Sequence, residues 1–214
     1  MNVTTLPVGA FQENSYLLVD ESTARAVLID PGDEPERLLG AASRAGVTIE
    51  AVWLTHAHVD HVGGVAAVKR ALGVPIYLHP LELPLYQSAV QHGLVFGLRI
   101  EEPPAPDREL AEGTELHVGS LVFQVMHTPG HAPGHVVIHG NGVAFVGDCL
   151  FAGSIGRTDL PLADGAQLAR SLQRIVQLPD DTVAYPGHGP ATTIGTERRS
   201  NPFLNGALRI PGLQ

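Results

Sequence analysis

The hydrophobic positions of the chain come in short apolar runs that alternate with longer amphipathic stretches. In the first half, residues 15–19 and 26–29 are apolar and flank a polar turn, which predicts a β-hairpin. Residues 51–54 and 75–78 predict two further strands, and residues 63–72 between them predict a helix. This alternation of strands and helices is typical of an α/β fold.

Another helix of the first half is predicted from the residues at its ends. Asp33, followed three residues later by Glu36, fits a capping box, and Gly46 fits a helix stop. Residues 81–90 have a helical pattern that Pro84 interrupts.

The second half has the same plan of strands followed by helix and strand. Asp164 with Gln167 predicts a capped helix, and residues 182–185 predict a last short strand. Three apolar runs before that helix predict strands: 121–126, 136–139 and 143–146. We therefore predict two sheets packed face to face with helices outside, a four-layer αββα arrangement in a single domain over residues 1–214.

Composition narrows the classes of function. The apolar fraction is 44% with few aromatic residues, which suits a core of aliphatic side chains. The net charge of −9 disfavours nucleic acid and anionic membranes as partners, because both require clustered basic residues. One cysteine, Cys149, excludes an intrachain disulfide. With no signal-type pattern in residues 1–10 and no apolar run of membrane-spanning length, we expect a cytoplasmic protein.

The densest cluster of histidine and acidic side chains lies directly after the predicted strand 51–54. The seven residues 55–61 read THAHVDH and hold His56, His58, Asp60 and His61. Imidazole nitrogen and carboxylate oxygen are ligands that borderline divalent metals prefer. The motif occupies a strand-to-helix turn at the carboxyl end of a strand, where open α/β sheets place their sites. The motif therefore predicts part of a metal site.

Three more candidate ligands follow predicted strands, each beside glycine or proline. His131 lies in the segment HTPGHAPGH, Asp148 ends the run VGD, and His188 lies in YPGHG. A catalytic metal site needs ligands from several strand ends, so these residues complete the set that the first motif begins.

In this order, the motifs resemble the metallo-β-lactamase superfamily, and within it the short glyoxalase II-like (hydroxyacylglutathione hydrolase-like) hydrolases. The resemblance implies a single metallo-β-lactamase-fold domain and covers nearly the whole chain. Its motifs are FQENSY at 11–16, LIDPG at 28–32, HAHVDH at 56–61, TPGH at 128–131, GDCLF at 147–151, GRTD at 156–159, PGHGPATT at 186–193 and NPFL at 201–204.

The resemblance also implies two metal ions and their ligands. His56, His58 and His131 would hold the first ion, and Asp60, His61 and His188 the second, with Asp148 bridging the two. Zinc is the expected metal, with iron and manganese as alternatives. Asp60 and Asp148 are thus the candidate catalytic carboxylates, because they would bind the ions that share a bridging hydroxide.

The same resemblance predicts the reaction and leaves alternatives open. The expected substrate is a small-molecule thioester, S-lactoylglutathione or a related acyl thioester, whose thiolate has a pKa of about 8.5 and leaves without an acid. Full-length glyoxalase II enzymes follow the last metal histidine with aromatic and basic residues; Gly189 and Pro190 stand here, so glutathione recognition does not carry over. The alternatives are a mono-iron persulfide dioxygenase, a lactonase or β-lactamase, and a non-catalytic metal-binding module.

Several nearby residues have two interpretations each. Arg157 is the candidate for substrate binding, or it pairs with Asp159. Asp30 either forms a turn or orients a ligand imidazole. Cys149 is expected to pack in the core, and His135 is expected at a strand end or behind the ligands, not among them.

Overall fold

The computed structural model describes residues 1–208, which form two compact units. The first unit comprises residues 1–110 and 116–122, and the second comprises 111–115 and the described residues from 123 onward. The prediction of a single domain over 1–214 stays a prediction, and residues 209–214 lie outside the described part. None of the helices within residues 1–208 is both long and apolar enough to cross a membrane.

The first unit is built on a sheet whose six strands follow the order of the chain. The strands β1, β2 and β3 pair antiparallel, whereas β3, β4, β5 and β6 pair parallel. They are β1 Asn2–Val8, β2 Glu13–Asp20, β3 Arg25–Ile29, β4 Thr48–Trp53, β5 Ile76–Leu78 and β6 Arg108–Glu109. The predicted hairpin and both predicted strands are confirmed, and the parallel half of the sheet brings the carboxyl ends of β3 and β4 to one edge.

The helices of the first unit are shorter than their patterns indicate. Gly46 ends α1 with φ 67°, as predicted, but the capping box is wrong because Glu34 is the N-cap. The helix predicted over 63–72 is confirmed as one helix over 65–72, a separate short helix precedes it at 59–62, and Pro84 lies in the first turn of a helix instead of interrupting one. The helices are α1 Pro35–Ala45, α2 Val59–Val62, α3 Val65–Leu72, α4 Leu83–Gln87 and α5 Ala89–Val95, with a 3₁₀ turn at Pro80–Glu82.

The second sheet has the strand order β14-β13-β10-β9-β8-β7. Its strands are β7 Glu115–Val118, β8 Leu121–His127, β9 Val136–Gly140, β10 Val143–Gly147, β13 Val183–Pro186 and β14 Thr192–Thr193, and β11 Leu150–Phe151 pairs separately with β12 Ser154–Ile155. The four strands predicted in this half are confirmed. Because β10 and β13 run parallel, their carboxyl ends lie at one edge.

Two helices follow in the second unit, α6 Gly165–Ile175 and α7 Ile194–Ser200. Asp164 caps α6 as predicted, with its side chain accepting a hydrogen bond of 2.9 Å from the Gln167 N–H. The helix buries Leu168, Leu172 and Ile175 in a core that includes strand residues of β9 and β10. This amphipathic packing fixes the edge of the sheet from which Asp148 projects.

The side chain of Asp20 links the turn after β2 to the tip of the β7–β8 hairpin through hydrogen bonds. Its carboxylate accepts hydrogen bonds from the backbone N–H of Ser120 at 2.7 Å and of Ser22 at 2.9 Å, and from the Thr23 hydroxyl. These donors, the Ser120 N–H first, hold the pKa of Asp20 well below its usual value. The charged form of Asp20 therefore stabilises the first unit.

We expect Asp20→Asn to lower the free energy of unfolding at neutral pH and to have less effect in acid. A carboxylate with a depressed folded-state pKa stabilises the fold above its unfolded pKa of about 3.9, and the contribution is lost as pH falls through the folded pKa. Urea unfolding between pH 7 and pH 3 measures the difference, with the exposed Glu102→Gln as control. An Asp20→Asn effect that stays constant over this range would contradict the prediction.

Candidate metal centre

The histidine-rich motif lies where β4 ends and α2 begins in the first unit. Nε2 of His56 lies 3.1 Å from Nδ1 of His58. Two nitrogen ligands about 2.0–2.1 Å from one tetrahedral ion would lie roughly 3.3 Å apart. The two imidazoles thus have the spacing of neighbouring ligands on one metal ion.

Asp30 supports this motif from the carboxyl end of the neighbouring strand β3. Its carboxylate accepts hydrogen bonds from the Thr55 N–H at 2.7 Å and the Thr55 hydroxyl at 2.6 Å, and it lies 3.1 Å from Nδ1 of His61. Because Nδ1 faces the carboxylate, Nε2 is the nitrogen of His61 that can bind a metal. Ligand atoms of Asp30, His56 and His61 all lie within 4.8 Å of one another.

Two buried glutamates that the sequence interpretation did not include also contact the motif. Glu13 lies with Oε1 3.7 Å from Nδ1 of His61, and burial raises the pKa of Glu13 well above its usual value. Glu82 is fully buried and accepts a 2.7 Å hydrogen bond from the Ala57 N–H. Both acids thus help to hold the motif in place. Glu13 contacts the side chain of His61, and Glu82 binds the backbone of Ala57.

A close approach of two turns holds Asp60 beside the strand end. A β-carbon on Gly32 would lie 1.7 Å from the carbonyl oxygen of Asp60, so only glycine fits here. The LIDPG motif therefore positions candidate ligands of the first unit in two ways. The Asp30 carboxylate contacts His61, and Gly32 packs against the backbone of Asp60.

The second unit brings two candidate imidazole ligands close to the carboxylate of Asp148. Oδ2 of Asp148 lies 3.5 Å from Nε2 of His131 and 3.7 Å from Nε2 of His188. His131 is oriented through Nδ1, which lies 2.9 Å from the carbonyl oxygen of Arg157. Nε2 of His131 therefore faces Asp148. This is the arrangement expected for a metal-binding imidazole whose other nitrogen contacts a backbone carbonyl.

His135 holds the backbone of Asp148 in place through a hydrogen bond. Nε2 of His135 accepts a 3.1 Å hydrogen bond from the backbone N–H of Asp148, while Nδ1 lies 2.9 Å from the Thr128 hydroxyl. A β-carbon on Gly156 would lie 1.9 Å from the Asp148 carbonyl oxygen, so the GRTD segment packs directly on the Asp148 turn. The position expected for His135, behind the ligands, agrees with these contacts.

Arg157, the candidate substrate residue, forms an ion pair with Asp159. The two hydrogen bonds measure 2.7 and 2.8 Å, and the guanidinium lowers the pKa of Asp159 to about 2. Both side chains are exposed, so the pair contributes little to stability. The structural interpretation of Arg157 is thus observed, and its substrate role stays a prediction.

Cys149 is buried in the core of the second unit, as expected. Its Sγ lies 3.4 Å from the Thr128 carbonyl oxygen, and burial raises the pKa of the thiol to about 12. The thiol is therefore protonated near neutral pH, in keeping with a core-packing role.

The donor set as a whole fits borderline divalent metal ions. The candidates are His56, His58, Asp60 and His61 in the first unit and His131, Asp148 and His188 in the second. Five imidazoles and two carboxylates match the ligands of zinc, iron and manganese sites. The Nδ1 atoms of His61 and His131 face a carboxylate and a carbonyl oxygen that can accept their N–H, an arrangement found around metal-binding imidazoles.

The chain belongs to the metallo-β-lactamase superfamily. The superfamily model matches residues 8–188, which include every candidate ligand. This membership, together with the similarity to solved structures of the same fold, confirms the predicted α/β metallo-β-lactamase fold.

Similar proteins include both named enzymes and solved structures. The chain is 41% identical to hydroxyacylglutathione hydrolase GloC of Haemophilus influenzae, over 96% of this chain and 99% of that protein. A structure of TTHA1623 in a di-iron-bound form is 50% identical with a TM-score of 0.88, covering 94% of this chain and all of that one. The BLEG-1 B3 metallo-β-lactamase is 39% identical with a TM-score of 0.90, covering 96% of this chain and all of that one.

Proposed function

We propose that this protein is a metal-dependent hydrolase of acyl thioesters, with S-lactoylglutathione as the first substrate to test. The observation that carries the proposal is the complete set of seven candidate ligands in a chain that is similar over 96% of its length to a hydroxyacylglutathione hydrolase. The small-molecule thioester is thus the proposed partner, and the net charge of −9 is consistent with a substrate other than nucleic acid.

The proposed ligand assignment is the one that the superfamily resemblance implies. His56, His58 and His131 would hold one metal, Asp60, His61 and His188 would hold the other, and Asp148 would be a ligand of both. When bound, such a pair of ions supplies a hydroxide near neutral pH and polarises the substrate carbonyl.

The chain's own residues then keep the ligands in place. Asp30 keeps Nδ1 of His61 engaged, and the Arg157 carbonyl does the same for His131. A thiolate leaving group needs no acid, which suits a site whose carboxylates all serve as ligands or hydrogen-bond acceptors.

The metal is proposed as a divalent pair, with zinc expected from the ligand types. The di-iron form of TTHA1623 makes iron the first alternative. Elemental analysis of the purified protein is expected to give close to two metal ions per chain. One iron ion alone, with oxygen uptake on persulfide, would favour the mono-iron dioxygenase.

The decisive assay is hydrolysis of S-lactoylglutathione by metal-replete protein, with a chelated sample as control. We expect turnover that the chelator removes and added metal restores, because the hydroxide depends on the bound ions. A panel of other acyl thioesters and a β-lactam follows, the latter because of the similarity to BLEG-1. Protein with two bound metals that cleaves the β-lactam and no thioester would overturn the proposal.

A further inference from the structure

Two buried polar side chains lie in and directly after α7, in a part of the second unit to which the proposed function assigns no role. Glu197 lies within the helix and is 2% exposed, and Asn201, the first residue of the NPFL motif, is fully buried. The side-chain amide of Asn201 donates a 2.9 Å hydrogen bond to the Glu197 carboxylate. Because buried polar groups are costly unless they are hydrogen-bonded, their further partners show what the pair does.

The pair binds the backbone of the β11–β12 hairpin. The Glu197 carboxylate accepts a 2.8 Å hydrogen bond from the Gly153 N–H, and the Asn201 amide donates to the Ser154 carbonyl at 2.9 Å. The hairpin has two pairs of facing residues, and a two-stranded hairpin of this kind is only marginally stable by itself in water. Its position therefore depends on contacts from outside, among which are these hydrogen bonds from α7.

The hairpin is continuous with the surroundings of two candidate ligands. Its first strand, β11, begins two residues after Asp148, and the glycine after β12, Gly156, packs on the Asp148 carbonyl. The next residue, Arg157, places its carbonyl oxygen 2.9 Å from Nδ1 of His131. A displacement of the hairpin would thus move the groups that support Asp148 and His131.

Glu197 also binds the strand that follows His188. Its carboxylate accepts a 2.6 Å hydrogen bond from the hydroxyl of Thr192, the first residue of β14. On the hairpin side, the ring of Phe151 lies 6.3 Å from the imidazole of His188, measured between ring centroids. One buried carboxylate is thus linked to the surroundings of all three candidate ligands of the second unit.

We propose that Glu197 and Asn201 are positioning residues for metal binding. They hold the β11–β12 hairpin and β14, and through these strands they keep the three candidate ligands of the second unit in place. The inference rests on the ligand assignment of the proposed function. Both residues act through the backbone and through Thr192, at one remove from the ligands themselves.

The test compares the Zn²⁺ affinity of wild type, Glu197→Ala and Glu197→Gln by competition with a chelator. Glu197→Ala removes the acceptor of the Gly153 N–H and of the Thr192 hydroxyl, and it should weaken Zn²⁺ binding about tenfold, the lower end of the range for residues that support metal ligands. Glutamine keeps an oxygen for Gly153, and its NH₂ group can donate to the Thr192 hydroxyl. Glu197→Gln should therefore stay within about threefold of the wild-type affinity.

Thr193→Ala is the matched control, because Thr193 caps the same helix and has its side-chain hydrogen bonds with Thr196 and not with the hairpin. Removing the cap should lower the urea midpoint of unfolding and leave the Zn²⁺ affinity at the wild-type value. If Thr193→Ala weakens Zn²⁺ binding as much as Glu197→Ala does, then loss of helix stability explains both results and the inference is overturned.

Asn201→Ala is the second variant, and it decides the matter if Glu197→Ala does not fold. It removes the hydrogen bond to the Ser154 carbonyl and leaves the bond between Glu197 and Gly153 in place, so Zn²⁺ binding should again weaken. Wild-type affinity in Glu197→Ala, or in Asn201→Ala where that variant decides, would overturn the inference.

The same measurements separate this inference from the proposed function. Wild-type protein that binds no Zn²⁺ would overturn the ligand assignment and this inference with it. If wild type binds Zn²⁺ and the alanine variants bind it more weakly, but no thioester is cleaved, then the positioning role stands and the proposed substrate is wrong.

Discussion

Replacing Asp148 by alanine should lower thioester turnover by at least about 10³-fold, because one carboxylate serves both proposed metal ions. Oδ2 of Asp148 lies within 3.7 Å of Nε2 of both His131 and His188, so its loss removes the group shared by two ligands. The fold should survive, since the backbone N–H of Asp148 keeps its hydrogen bond to His135. Steady-state kinetics, circular dichroism and metal content measured on the same sample test each part.

Asp181→Asn is the matched control for Asp148. Asp181 is an exposed aspartate of the same unit and lies outside the proposed ligand set. We expect wild-type turnover and two metals in this variant. An Asp148→Ala enzyme that retains two metals and more than about a tenth of the wild-type rate would show that the bridge is misassigned.

The strand ends that carry the candidate ligands could be predicted, because short apolar runs mark these strands in the sequence. Asp30 and the motif at 55–61 follow two apolar runs, and the structure pairs those runs as neighbouring parallel strands. Asp148 and His188 likewise follow β10 and β13, which are parallel neighbours in the second sheet. Local hydrophobic patterns were enough to identify each strand end, although not which ends are neighbours.

The wrong predictions concern the ends of helices, where several signals compete. Asp33 and Glu36 have capping-box spacing, yet Pro35 favours the first helical position and shifts the start of α1 by one residue. Oδ1 of Asp33 accepts the Glu34 N–H at 2.7 Å instead, and Glu34 accepts the Gly9 N–H. The cap was thus decided by a tertiary contact with the β1–β2 turn.

Buried acids and surface grooves could not be predicted, because each depends on residues far apart in the chain. Glu82 is 25 positions from Ala57, whose N–H it binds, and no local pattern distinguishes it from an exposed helical glutamate. Phe11 and Ile100 line one groove of the first unit although they are far apart in the chain. Burial of isolated polar residues and the pairing of distant loops are properties of tertiary structure.

Asp30→Ala should reduce metal affinity about 10- to 100-fold, the effect expected when the group that orients a ligand imidazole is removed. In the metal-free protein it should also lower the free energy of unfolding by about 3 to 5 kcal/mol. The buried Thr55 N–H and hydroxyl would lose their acceptor, and alanine would have to adopt the positive φ of 48° seen at Asp30. Competition with a metal chelator measures the affinity, and urea unfolding of chelated protein measures the stability.

Asp30→Asn separates the charge of Asp30 from its backbone conformation. Asparagine tolerates positive φ and keeps one oxygen for the Thr55 N–H, so the loss of stability should be smaller than for alanine. It removes the carboxylate that faces Nδ1 of His61 at 3.1 Å, so metal affinity should still fall. If Asp30→Asn binds metal as tightly as wild type while Asp30→Ala does not, then turn geometry, and not the negative charge, positions His61.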